Sequence, residues 1–141
     1  MAKMYPEKFP DYIYREGERS GEKRTYDSLI NLPEDFIVFY SCKWQGIDRV
    51  HTPKEGESDF IIIHPNKGVL VLEVKGGGIG YDADSDTWTS TDRNGNMHQI
   101  KDPIQQGEVT KHLIIDAVKN ASSNNEDWLK IWNSVCFPDV I

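Results

Sequence analysis

The chain has 141 residues and a formal net charge of −7, with 38% hydrophobic residues, four Trp, six Tyr and five Phe. That is one domain's worth of chain with enough apolar side chains for a core, which excludes a disordered polypeptide. The acidic balance also excludes a generic nucleic-acid coat, whose affinity comes from Lys and Arg on phosphates, but it leaves room for an enzyme built on clustered acids.

Residues 1–16, with Pro6, Pro10 and scattered aromatics, read as an extended lead-in, and Met1–Pro6 has no apolar leader. From Gly17 to Leu32 the composition turns helical, with Tyr26, Leu29 and Ile30 as an apolar stripe and Pro33 closing the segment. Glu18 and Glu22 lie along the edge of that stripe, where first-turn acids are ordinarily just solvated. Phe36–Cys42 reads as a strand and residues 43–56 as a loop.

Next comes the most informative stretch. Asp59–His64 and Val69–Lys75 are apolar, β-branched runs flanking Pro65-Asn66-Lys67-Gly68, which predicts a hairpin. Charges stand only at its open end: Asp59, Glu73 and Lys75. A two-residue turn would put Asp59 opposite Val74, on the wrong face. A three-residue loop, Asn66-Lys67-Gly68 with Gly68 left-handed, pairs Pro65 with Val69 and sets Asp59 opposite Lys75, with Glu73 on the same face. Paired carboxylates there suit a hard cation such as Mg²⁺ or Mn²⁺, and the lysine would orient a water or offset charge. From spacing alone, a plain ion pair at the hairpin end is as good a reading.

Gly76-Gly77-Gly78 either lets a substrate backbone approach or is a flexible exit from the strand. Residues 79–101 read as a small antiparallel insertion, with strands at Trp88–Thr91 and Met97–Ile100 about an Asp92–Gly95 turn. Asp82, Asp84 and Asp86 alternate like a calcium loop, but Thr87 and Arg93 stand where a glycine and the closing acid belong, so a polar turn is expected. Asp102-Pro103 starts a helix that runs to about Asn120, with a stripe of Leu113, Ile114, Ala117, Val118 and Ala121. Gln106 lies in its first turn, where a lone amide is usually a surface group. A loop over residues 121–127, a short helical turn at Trp128–Trp132 and a strand at Val135–Ile141 complete the chain.

This order predicts an α/β domain with a mixed central sheet flanked by helices. No apolar run approaches the ~18–20 residues of a membrane span, so no membrane partner is expected. Cys42 and Cys136 have no metal-ligand spacing and read as reduced, buried small hydrophobes of a cytoplasmic protein. The abrupt apolar C-terminal stretch suggests the N-terminal part of a longer protein.

Four ordered motifs carry a resemblance. Gly21-Glu22, Glu57-Ser58-Asp59-Phe60, Asn66-Lys67-Gly68 running through Glu73-Val74-Lys75-Gly76-Gly77, and Asp102-Pro103-Ile104-Gln105-Gln106 together resemble the nuclease-related domain (NERD) family of the PD-(D/E)xK nuclease superfamily. The likeness covers about residues 15–140. It implies a restriction-endonuclease-like fold over residues 17–141 and Mg²⁺- or Mn²⁺-dependent cleavage of DNA, with Asp59 and Glu73 as metal ligands and Lys75 as the catalytic lysine. It also makes Glu22 an auxiliary acid and Gln106 a late helical polar group. Gln106 with Lys111 matches a Q-x-x-x-x-K spacing, and Lys111, Gly76 and Gly77 become candidate contacts to the substrate backbone. Ser58 stands where the superfamily name has Pro, and Asp102 where relatives often have Asn; neither is a metal ligand. Such domains often precede helicase-like modules. Double-strand cleavage would suit a dimer. The alternative is a non-catalytic nucleic-acid-binding or interaction module on the same fold.

Overall fold

A computed structural model describes residues 1–10, 20–47, 53–121 and 130–140. Among these, eight strands and two helices follow in the order β1 (Lys3–Tyr5), α1 (Ser20–Leu29), β2 (Ile37–Ile47), β3 (Pro53–His64), β4 (Gly68–Val74), β5 (Gly78–Asp82), β6 (Thr87–Thr91), β7 (Met97–Ile100), α2 (Pro103–Ala121) and β8 (Ile131–Cys136). A five-stranded mixed sheet has the order β1-β2-β3-β4-β8, and β5-β6-β7 form a second, antiparallel sheet. This is the expected mixed α/β architecture, with the small insertion where it was predicted. The two parallel pairs, β1 with β2 and β4 with β8, require crossovers, and α1 and α2 supply them.

The core lies between α1 and one face of the sheet. Tyr26 of α1 packs with Met4, Val38, Tyr40, Phe60, Ile62 and Val74, all buried. Val38 and Tyr40 alternate along β2 and Phe60 and Ile62 along β3, so Ile37, Phe39, Ile61 and Ile63, with Val69, Val71 and Glu73 of β4, face the α2 side. On α2 the buried line is Pro103, Gly107 and Thr110; an added Cβ on Gly107 would meet the Asn133 side chain at 3.3 Å, so the helix lies close on β8. Of the expected stripe, Leu113, Ile114 and Ala117 are half-buried and Val118 is exposed.

Several expectations need correction. Within the extended lead-in, Lys3–Tyr5 joins the sheet in parallel, and Ala2, Met4 and Phe9 are buried; residues 11–16 fall outside the described residues. The segment predicted as a loop from 43 to 56 is mostly ladder, because β2 runs to Ile47 and β3 begins at Pro53. Cross-strand pairing there overrides the Gly and Pro signals at its ends. Trp132 lies in β8 rather than in a helical turn, and β8 ends at Cys136; Trp128 falls outside the described residues. Both cysteines are free but half-buried, and burial pushes the Cys42 thiol up.

The hairpin register also differs. His64 pairs with Gly68, so the loop is Pro65-Asn66-Lys67 and the ladder is slipped by two residues from the expected one. The His64 ring makes the difference: its Nδ1 accepts the Asn66 N–H at 3.1 Å, and its carbonyl accepts the Lys67 N–H at 3.2 Å. Nε2 lies 2.8 Å from the Asp35 carboxylate, which fixes the ring. Proline thereby sits in the turn, where it is favoured, instead of ending a strand. Gly68 keeps the positive φ (102°) that was expected of it. A slip of two preserves side-chain parity, so Asp59 and Glu73 still share a face. The aspartates at 82–86 form a turn in which Asp82 Oδ1 accepts the Asp84 N–H at 2.9 Å. No helix among the described residues is long and apolar enough to cross a membrane.

Candidate active site

The site lies where β3 and β4 part. Phe60 pairs with Leu72 and both face α1, so the next pair in register, Asp59 and Glu73, faces the α2 side. The backbone ladder stops there because Asp59 Oδ2 accepts the Val74 N–H at 2.8 Å. Glu73 is 8% exposed. Burial pushes its carboxyl up to about 7, and the Asp59 charge adds to this. The Lys75 ammonium opposes the rise, while a hydrogen bond shared with Asp59 and the more distant Glu22 charge reinforce it. The two carboxylates therefore share one face at the end of the hairpin, with a lysine two residues on along the chain.

Strain adjoins this pair. The β2–β3 register steps from Tyr40–Phe60 to Cys42–Ser58, leaving Ser41 opposite Asp59 outside the ladder. Ser41 has φ of 52°, a conformation that costs a non-glycine residue about 1 kcal/mol. Its hydroxyl donates to the Glu57 carboxylate. An open cavity of about 540 Å³ lies above, lined by Glu57, Glu73, Lys75, Lys101, Gln106 and Thr110 among others. Gln106 is brought there by α2, whose start is fixed by Asp102: its carboxylate accepts the Ile104 N–H at 2.9 Å and the Gln105 N–H at 3.2 Å. Gln106 Oε1 is buried without a hydrogen-bond partner among the described residues, and so is Ser58 Oγ.

Glu22 is placed differently from Gln106. It projects from the first turn of α1, on the opposite face of the sheet, and accepts the Tyr40 hydroxyl at 2.5 Å. It lines a second cavity, of about 980 Å³, together with Gly76, Gly77, Arg24 and Arg93. Gly21 precedes it for a packing reason, since a Cβ there would stand 2.8 Å from Pro138 Cγ and 3.6 Å from Gly76 Cα. The structure thus brings Glu73, Lys75 and Gln106 around one cavity, with Asp59 beside them, and sets Glu22 across the end of β4. Lys111 lies about 140° round the helix from Gln106 and lines neither cavity. Gly77 has a positive φ (90°), and its N–H donates to Asp139 at 2.6 Å, so the glycine run is more than a loose exit.

An oxygen-seeking cation fits this donor set. Two neighbouring carboxylates, one held protonated near neutrality chiefly by its burial, and a buried amide oxygen without a partner among the described residues together favour a hard ion. The protein supplies few ligands: among the described residues, no group of three or more His, Cys, Asp or Glu side chains is arranged to hold a metal. Sequence reasoning missed Tyr40, Ser41, Glu57, Arg24 and Asp139; for Tyr40 alone, strand alternation towards the α1 face was a usable signal.

A mixed sheet with a helix on either face, and paired carboxylates with a lysine at the end of its central hairpin, is consistent with a nuclease-like α/β domain. The model of the nuclease-related domain, NERD, matches residues 17–138, and the chain belongs to that family. No curated protein and no solved structure gives a significant match.

Proposed function

We propose that this domain is a Mg²⁺- or Mn²⁺-dependent nuclease that hydrolyses DNA phosphodiester bonds. The observation that carries the reading is the Asp59–Glu73 carboxylate pair, half-sequestered beside Lys75 at the mouth of an open cavity. Asp59 and Glu73 would hold the ion, which when bound supplies Lewis acidity towards a phosphate and its attacking water. Glu73 would have to give up its proton to serve as a ligand, so metal affinity should rise with pH. Lys75 holds a positive charge two residues on, where it orients the water and offsets charge as the phosphorus becomes five-coordinate. Gln106 offers its amide to the same cavity, and Glu22, which accepts the Tyr40 hydroxyl, would act from across the end of β4. The two free thiols suit a reducing cytoplasm, and a helicase-like module elsewhere in a longer protein would supply the basic surface that a net charge of −7 does not.

The test is direct. The purified chain is incubated with linear, circular and single-stranded DNA in Mg²⁺ or Mn²⁺, beside Asp59→Ala and Lys75→Ala. Cleavage by the parent, abolished in Asp59→Ala and slowed in Lys75→Ala with metal binding retained, is expected. Equal cleavage by all three would sink the assignment. Binding without cleavage, by the chain and by the full-length protein alike, would favour a non-catalytic module.

A further inference from the structure

The large cavity on the α1 side holds an arrangement that the hydrolytic site does not use. The Asp139 carboxylate is bound at two points: the Arg24 guanidinium donates to Oδ1, and the Gly77 N–H donates to Oδ2 at 2.6 Å. Gly77 is in the left-handed conformation, which turns its N–H out of the strand direction, and a Cβ there would come within 3.0 Å of Ser90 Oγ and the Thr91 carbonyl oxygen. A guanidinium and a backbone N–H converging on two oxygens of one anion make an oxyanion cradle, and a phosphate presents the same pair of acceptors. Arg24 keeps 54% of its side chain exposed although it is paired, and Asp139 keeps 28% of its own, so the contact is open to a competitor.

The surroundings leave room for more than a small anion, and with Glu22, Asp92 and Asp139 against Arg24 and Arg93 they offer an anion only a few placed cations. At about 980 Å³, the cavity is at the upper end of the ~300–1,000 Å³ typical of ligand sites. One wall is the first turn of α1. The other is the β6–β7 turn, where Arg93 reaches across to donate to Ser20 Oγ at 3.3 Å. Gly77 is two residues beyond Lys75, at most about 7 Å along the chain, so the cradle adjoins the hydrolytic site along the same backbone.

We propose that Arg24 and the Gly77 N–H form a phosphate subsite for a single strand of nucleic acid, adjacent to the scissile phosphate, and that the Asp139 carboxylate occupies it as a built-in competitor until substrate displaces it. This rests on the nuclease reading for the neighbouring position, not for the anion chemistry. The carboxylate excludes stray anions from the site, and a strand long enough to engage the neighbouring site as well outcompetes it.

The test separates the two ideas by measuring binding without turnover. Fluorescence anisotropy of a labelled single-stranded 20-mer in EDTA at low salt gives Kd for the parent chain, Asp139→Asn, Arg24→Gln and the double variant, with inorganic phosphate as competitor and a duplex as second probe. Asp139→Asn should tighten binding by roughly three- to tenfold, because the repelling, competing charge is gone. Arg24→Gln should weaken it and make the logarithmic salt dependence shallower by about 0.7. In the Arg24→Gln background, Asp139→Asn should lose most of its effect. Asp139→Asn binding no tighter than the parent, or Arg24→Gln leaving both Kd and salt dependence unchanged, overturns the subsite. Arg24 is exposed, so its variant stays informative even if Asp139→Asn lowers thermal stability. Phosphate competing in the millimolar range with no preference for the oligonucleotide would reduce the cradle to a free-anion site and also overturn it. Cleavage is scored separately: the expected changes in Kd with no cleavage leave the subsite standing and the nuclease reading fallen, and cleavage without those changes does the reverse.

Discussion

Glu73 carries the plainest consequence for a single side chain. Its carboxyl is raised from an ordinary 4.5 to about 7, so between those values the unfolded chain has given up a proton that the folded chain retains. Stability therefore falls as pH rises from about 4.5 to 7 and levels off above. Relative to Glu73→Gln, the metal-free parent should lose on the order of 1–2 kcal/mol between pH 5 and pH 8, a loss moderated by the water that reaches the pair from the cavity. Urea titration of both proteins at the two pH values measures it; a parent that is no less stable at pH 8, relative to the variant, contradicts the buried-pair geometry. Adding Mg²⁺ at pH 8 should then raise the melting temperature of the parent and not of Glu73→Gln. Tyr40 makes a second case. Tyr40→Phe removes the hydroxyl that donates to Glu22 and keeps the ring, so cleavage should slow while the melting temperature stays within a few degrees. Equal rates in the two proteins would leave Glu22 without a role at the site.

Two elements are fixed at single residues that can be broken. Gly68 ends the hairpin loop with φ of 102°, and a Cβ there would stand 2.2 Å from the Lys130 carbonyl oxygen, which also accepts the Val69 N–H at 2.8 Å. Gly68→Ala must therefore both strain the turn and push β8 from β4, and a loss of about 2 kcal/mol or more in urea unfolding is expected. Asp102 caps α2 through two backbone N–H groups, so Asp102→Ala should cost about 1 kcal/mol and fray the turn that carries Gln106. Much of this was legible in the sequence. The turn glycine, the Asp-Pro helix start and the apolar alternation each have a local cause, and parity made the shared face of Asp59 and Glu73 survive a misplaced loop. What was not legible came from distance. The β2–β3 ladder beyond Cys42 depends on pairing that no local signal announces, and β1 depends on an edge 34 residues away, from Lys3 to Ile37. Asp139 read as part of a strand, and its partners Arg24 and Gly77 are 115 and 62 residues off.

For the molecule as a whole, charge sets the terms of any association with nucleic acid. With 23 acidic against 16 basic residues, affinity must come from a few placed cations and not from a basic face. Arg24, Arg93, Lys75 and Lys101 line the two cavities, so the logarithmic salt dependence of single-strand binding should be no steeper than about −3. A steeper slope in the anisotropy series would mean that a surface remote from the cavities does the binding.

The strand order also governs how the chain finds its structure. β2, β3 and β4 form a continuous meander in the middle of the sheet, with Ile63 and Val69 paired across only six residues. The outer partnerships span far more: 34 residues between Lys3 and Ile37, and 62 between Val69 and Ile131. Closing long loops is entropically slow, so the meander should assemble first and the two outer strands dock onto it afterwards. In pulsed hydrogen exchange during refolding, amides of Phe60–Ile63 should gain protection before those of Lys3–Tyr5 and Ile131–Cys136. The carboxylate pair would then come together early, while the Asp139 contact, which depends on β8 being in place, would form among the last events of folding.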